Sequence, residues 1–239
     1  MALTQQENAL FVRWEKTLPP GQFVRDGVID EHTFARQEIK IIFLLKDPVG
    51  TVNSQQDLRA FAVEPGKDHK RKQVWNNIAL WTELFLAGPV KEAVQYHQID
   101  EQKQIEMIKK IGWINIKKTP GTTNANNDLL KKFLKNNLAF VREQLHLYKP
   151  NLVVCCHSTQ EWANMIFSKT QNDWHSPGCL AYQSEGFHYL LEKSFWPQHA
   201  CLVLDCQHPG RKGEKYFNEL SSFWTWLRQN GILKQAGIL

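Results

Sequence analysis

Four short apolar runs set the terms on which this chain can fold. Ile39 to Leu45 ends at Lys46-Asp47-Pro48-Val49-Gly50, and Trp113-Ile114-Asn115-Ile116 ends near Thr119-Pro120-Gly121. Leu152 to Cys156 is followed by His157-Ser158-Thr159, and Ala200 to Leu204 by Asp205-Cys206-Gln207-His208-Pro209-Gly210. Nearly continuous runs of this length fit strands covered on both faces, as in a parallel sheet between helical layers. Between them lie helical spacings. Val74, Ile78, Trp81, Leu84 and Phe85 recur every three or four residues, as do Ile105, Ile108 and Ile111. A third helix is marked by Leu129, Leu130, Phe133, Leu138, Val141, Leu145 and Leu147, with Asn127 or Asp128 as its cap. Trp162 to Phe167 and Tyr216 to Leu227 complete the set, the last stopping before Asn230-Gly231. The alternation predicts an α/β fold, a three-layer α/β/α sandwich around a four-stranded parallel sheet. The chain has 239 residues with no repeat, low-complexity stretch or linker, so residues 1–239 are expected to form a single domain.

No apolar run approaches the roughly 18 residues of a membrane span, and the first residues lack a signal-peptide layout. A soluble, cytoplasmic protein with no membrane contact is expected, as a monomer. Lys and Arg outnumber Asp and Glu by 29 to 24, a net charge of +5, which is mild but suits a domain with one face near phosphates. Five cysteines, Cys155, Cys156, Cys179, Cys201 and Cys206, show no C-x-x-C spacing. Core thiols are the expectation, not a disulfide framework or a metal centre.

In an open parallel sheet, ligands bind beyond the carboxyl ends of the strands. The residues there are Lys46-Asp47-Pro48, Asn115 with its adjoining loop, His157-Ser158-Thr159, and His208-Pro209. A carboxylate, an amide and two imidazoles thus converge on one edge. No phosphate loop of the G-x-x-x-x-G-K-S kind and no H-E-x-x-H is present, which argues against nucleotide and zinc hydrolysis.

Asp47-Pro48 after the first run, Asn115 on the second and His208-Pro209-Gly210-Arg211 after the last resemble, in order, the motifs of the uracil-DNA glycosylase superfamily. Arg71-Lys72-Gln73-Val74-Trp75 at a helix entry is similar to family usage, and the resemblance spans roughly residues 38 to 228. The chain departs from the family in lacking the glycine two residues before Asp47 and in carrying Gly210 where His-Pro-Ser is usual. The resemblance implies a monofunctional DNA glycosylase that flips a pyrimidine, hydrolyses its N-glycosidic bond and leaves an abasic site, with no metal or organic cofactor. Asp47 would orient water and stabilise the cationic sugar, and His208 would donate a hydrogen bond to the departing base. Asn115 would read the base edge, with Phe61 or Trp75 stacked on it. Lys117, Lys118, Arg71, Arg211 and Lys212 would contact DNA phosphates or the gap left by the flipped nucleotide.

Each residue also has an ordinary structural reading: Asp47 a turn, Asn115 a satisfied strand amide, His208 a surface loop residue, Phe61 and Trp75 core. Classical uracil-specific members place a tyrosine after Asp-Pro; Val49-Gly50 here opens space at C5 of a pyrimidine. The reading therefore leans toward a C5-modified pyrimidine, such as glucosylated hydroxymethylcytosine in phage DNA removed as antiviral defence. The alternatives are uracil or damaged-pyrimidine excision in repair, a catalytically silent nucleic-acid binder and a small-molecule nucleoside hydrolase.

Overall fold

The computed structural model describes residues 1–48, 57–64, 72–87, 94–97, 99–121, 127–156, 160–176, 187–196 and 199–239. Its centre is a six-stranded sheet formed by β1 (Gly27–Val28), β2 (Ile41–Leu45), β3 (Ile111–Asn115), β4 (Leu152–Cys156), β5 (His188–Glu192) and β6 (Cys201–Cys206). The strand order is β1-β3-β2-β4-β6-β5. The four expected strands are mutually parallel and contiguous, with Leu45 beside Asn115, Leu44 beside Cys155 and Cys155 beside Asp205.

The expected four-stranded parallel sheet is thus corrected to a mixed six-stranded one. β1 lies antiparallel to β3, and β5 antiparallel to β6. Neither edge strand carries an apolar run: β1 is two residues long, and β5 reads His-Tyr-Leu-Leu-Glu with polar groups at both ends. The second expected strand begins at Ile111, which pairs with Ile41 instead of extending the preceding helix α5 (Glu101–Ile108).

Full burial of β2, β3 and β4 explains why their sequences show no alternation, since each face has its own helical cover. Ile41, Phe43, Leu45, Val154, Leu204 and Cys206 pack with α4 (Lys72–Leu86) and α8 (Glu214–Gln229). Ile42, Leu44, Ile114, Val153, Cys155 and Val203 pack with α1 (Leu3–Glu15), α6 (Asn127–Tyr148) and α7 (Gln160–Phe167). Each such Leu or Ile contributes about 1.5–3 kcal/mol by leaving water. The short helices α2 (Glu31–Ala35) and α3 (Leu58–Ala62) lie between β1 and β2 and between β2 and α4, and α9 (Ile232–Gln235) follows α8. α8 stops as expected, with Gly231 left-handed at φ 72°. Among the described residues, no helix is long and apolar enough to cross a membrane.

Candidate functional site

The strand register places Asp47 and His208. Leu44, Cys155 and Asp205 form one row across β2, β4 and β6, and Asp47 and His208 each lie three residues beyond it. Each lies two residues past the last residue of its strand, at the same edge of the sheet, with β4 between the two strands.

Asp47 is half-buried. Burial raises its carboxyl above the ordinary range, while the nearby charges of Lys117 and Lys46 pull the other way. The segment after β3 is laced to the segment after β2: Ile116 donates its amide to the Leu45 carbonyl at 2.8 Å, Lys117 to Lys46 at 2.8 Å, and Gly121 to Pro48 at 2.8 Å. This brings Gly121 so close that a Cβ there would lie 1.9 Å from Asp47 Oδ2. The missing side chain is what lets the carboxylate lie against the loop. The Lys117 ammonium donates to the Pro120 carbonyl at 2.9 Å, closing the same loop.

His208 is exposed and caps the short 3-10 turn Pro209–Arg211. The Gly210 amide donates to His208 Nδ1 at 3.0 Å. An imidazole that accepts through Nδ1 carries its proton on Nε2, so the ring is set as a donor from Nε2. The turn is anchored from both sides. Asn77 of α4 donates to the Pro209 and Lys212 carbonyls at 2.6 and 2.8 Å, and the Gln207 amide donates to the Tyr216 hydroxyl at 2.9 Å. The Lys212 ammonium bonds Gln207 Oε1 and lies 4.8 Å from the centre of the Tyr216 ring, so it braces the turn.

Three expected site residues fall elsewhere. Asn115 is 1% exposed, and both its backbone amide (2.7 Å) and its side-chain nitrogen (3.2 Å) bond Asp26 Oδ2. An amide so enclosed has no surface for a base edge. Lys118 is wholly buried, its ammonium paired with Asp26 Oδ1 over the Trp14 ring, and is corrected from a phosphate contact to an internal cation. Trp75 is a core residue against Trp113, ring centres 4.4 Å apart, not a stacking platform. Phe61 is half-buried on α3, beside the β1 end of the sheet, where Leu58 bonds Arg25. Arg71, Val49-Gly50, His157 and Cys179 lie outside the described residues, as does the side chain of Arg211.

Asp26 belongs to a buried polar chain that no sequence pattern announces. Gln144 donates to Asp26 Oδ1 at 3.1 Å and to the Tyr148 hydroxyl at 2.9 Å; Tyr148 donates to Glu7 Oε1, and Glu7 Oε2 accepts from Arg59 at 2.6 Å. Gly27, at φ 127°, passes where a Cβ would strike Glu7 Oε1 at 2.1 Å. Burial raises the Glu7 carboxyl and lowers the Lys118 ammonium.

Asp205 is a further acid that sequence reasoning missed. It shares the β6 face of Val203, on the α6 and α7 side, with His188 directly across the β5–β6 pair. Burial pushes its carboxyl up to about 6, and its Oδ1 has no hydrogen-bond partner among the described residues. Cys155, Cys156, Cys201 and Cys206 are buried free thiols whose pKa values burial raises, so they are inert as nucleophiles. Among the described residues, no group of three or more His, Cys, Asp or Glu side chains is placed to hold a metal ion.

No protein-family model matches the chain, and no curated protein is similar enough to match it.

Proposed function

We propose that this protein is a DNA glycosylase that hydrolyses the N-glycosidic bond of a base flipped out of the duplex. The observation that carries the reading is the placement of Asp47 and His208 just beyond the carboxyl ends of β2 and β6, parallel strands separated by β4, at one edge of the sheet. Departure of the base builds positive charge on the sugar and negative charge on the base. Asp47, held against Gly121, is the group to orient water and offset the sugar's charge. His208, its Nδ1 occupied by the Gly210 amide, offers Nε2–H to the oxygen that gains charge without giving up a proton. Lys46 and Lys117 beside Asp47 supply positive potential for the backbone of the substrate. Asn115 is given no contact with the base.

The base is proposed to be a pyrimidine enlarged at C5, a choice that rests on the resemblance and on Val49-Gly50 after Pro48. The test incubates the protein with uracil-containing DNA and with glucosylated hydroxymethylcytosine phage DNA, scoring alkali-labile abasic sites. The same assay is run with Asp47→Ala, which should lower the rate by about 10²–10⁴-fold. Product from phage DNA alone supports the proposal, and product from uracil DNA alone moves the activity to repair. The inward-turned Asn115 favours a second reading, a nucleic-acid binder without catalysis. That reading requires tight DNA binding, unchanged in Asp47→Ala, and no abasic product from any substrate.

A further inference from the structure

We propose that Asn77 is the positioning residue for His208, setting the turn in which the imidazole is held in its Nε2–H form. This rests on the glycosylase reading for its consequence on rate, but not for its geometry. Asn77 is 1% exposed, on the face of α4 that meets the His208 turn. Its single NH2 group donates one hydrogen to the Pro209 carbonyl and the other to the Lys212 carbonyl, so it spans the turn from end to end. The orientation of the amide is itself fixed, because Gln73, one helical turn earlier, donates to Asn77 Oδ1 at 3.1 Å and to the Lys212 carbonyl at 3.1 Å. Val74 completes the contact: its Cγ2 lies 3.2 Å from where a Cβ on Gly210 would stand.

The span matters because the bond that sets the imidazole lies inside it. Gly210 reaches His208 Nδ1 only while residues 209 to 212 keep the pitch of the 3-10 turn. Asn77 is the group that ties the two ends of that pitch to a helix. The helix is rigidly based, with Ile78, Ala79 and Trp81 in the core immediately after it. A side chain on such an element holds a first contact more tightly than a loop residue would. Asn77 touches no reacting atom; it acts through the backbone that carries His208.

The experiment uses the full chain with Asn77→Asp, which keeps the shape and, when ionised, removes both donors. Long-range 1H–15N NMR reads the His208 ring directly. In the unmodified protein, Nδ1 is expected unprotonated and Nε2 protonated; in Asn77→Asp the two nitrogens average. Turnover is expected to fall 10- to 100-fold in kcat with KM unchanged, and Asn77→Asp should add nothing to a His208→Ala background. Gln73→Ala, at an exposed position, should shift the ring signals the same way by less, and it serves where Asn77→Asp does not fold. Ring signals identical to those of the unmodified protein in either folded variant would overturn the proposal, even if the rate fell. Shifted ring signals in a protein that turns over no DNA substrate would support the role of Asn77 while counting against the glycosylase reading.

Discussion

Gly121→Ala is the sharpest probe of how the candidate site is built. Gly121 has no left-handed φ, so alanine suits its backbone and the substitution acts through the new methyl alone. That methyl would lie 1.9 Å from Asp47 Oδ2 and 2.3 Å from Cγ, against an ordinary contact of 3.4 Å or more. The carboxylate must therefore retreat by about 1.5 Å, out of the loop and toward water. A displacement near 1 Å of a reacting group costs on the order of 10²-fold in rate. The expected fall in abasic-site formation is thus about 100-fold, equivalent to about 2.7 kcal/mol of activation free energy. Single-turnover cleavage of labelled DNA measures it. A second readout needs no substrate: the Asp47 carboxyl carbon, followed by NMR across pH, should titrate above the ordinary carboxylate range in the unmodified protein and closer to it in Gly121→Ala, because the burial that raises it is relieved. Full activity with an unmoved titration would refute the argument that Gly121 sets the position of Asp47. A loss of rate that persists in an Asp47→Ala background would refute it as well.

Gly210→Ala would bring a methyl 3.0 Å from His208 Nδ1 and 3.2 Å from Val74 Cγ2, so the turn must open slightly; about a 10-fold loss of kcat is expected, with altered His208 ring signals. Asp205 holds its proton up to about pH 6 in the fold but only to about 3.8 when unfolded. The native state binds more protons in that window, so stability falls as pH rises from about 4 to 6 and stays lowered above it. Asp205→Asn removes the effect, on the order of 3 kcal/mol, and should raise Tm by several degrees at pH 7.5 but hardly at pH 4, read by calorimetry. Lys118→Met strands the Asp26 carboxylate in the interior and should lose about 3–5 kcal/mol in urea denaturation, with much of it regained in Lys118→Met/Asp26→Asn. Lys46→Ala/Lys117→Ala should weaken DNA binding uniformly across sequences and flatten the dependence of log Kd on log salt by about one for each phosphate left without its lysine.

The parts of this fold that are legible in the sequence are those where burial on two faces writes itself as a run. β2, β3, β4 and β6 are such segments, and their carboxyl ends point directly to Asp47 and His208. Edge strands bury one side or pair over a few residues, and so β1 and β5 leave no comparable mark. Within the site, a residue's partners decide its role, and partners are a property of three dimensions. Asn115 ends a strand at the edge where ligands bind, yet it is buried on Asp26, a partner from before β1, 89 residues away, in a stretch with no periodicity. Lys117 and Lys118 are adjacent and chemically identical, and only one emerges, because the chain turns inward where Val24 bonds the Lys118 carbonyl at 2.7 Å. Asn77 sits inside a helical pattern that its apolar neighbours define, and nothing in that pattern marks a polar member as an anchor. Gly121 follows a proline, as turn glycines commonly do; that it makes room for a carboxylate is visible only once the loop has closed.

The polar chain from Asp26 to Glu7 also has a consequence for the order in which the molecule is made. Glu7 and Asp26 emerge from the ribosome early, but their partners lie far along the chain, Tyr148 141 residues after Glu7 and Gln144 118 residues after Asp26. Val28 and Arg59 come early enough to donate to Glu7, but until α6 arrives α1 lacks the Tyr148 hydroxyl and the helix it packs on. The docking of α1 therefore waits for the synthesis of α6. Contacts of such long reach are slow to form. During that wait, Leu10, Phe11 and Trp14 of α1 stay uncovered, so the nascent α1 presents an apolar face to whatever it meets.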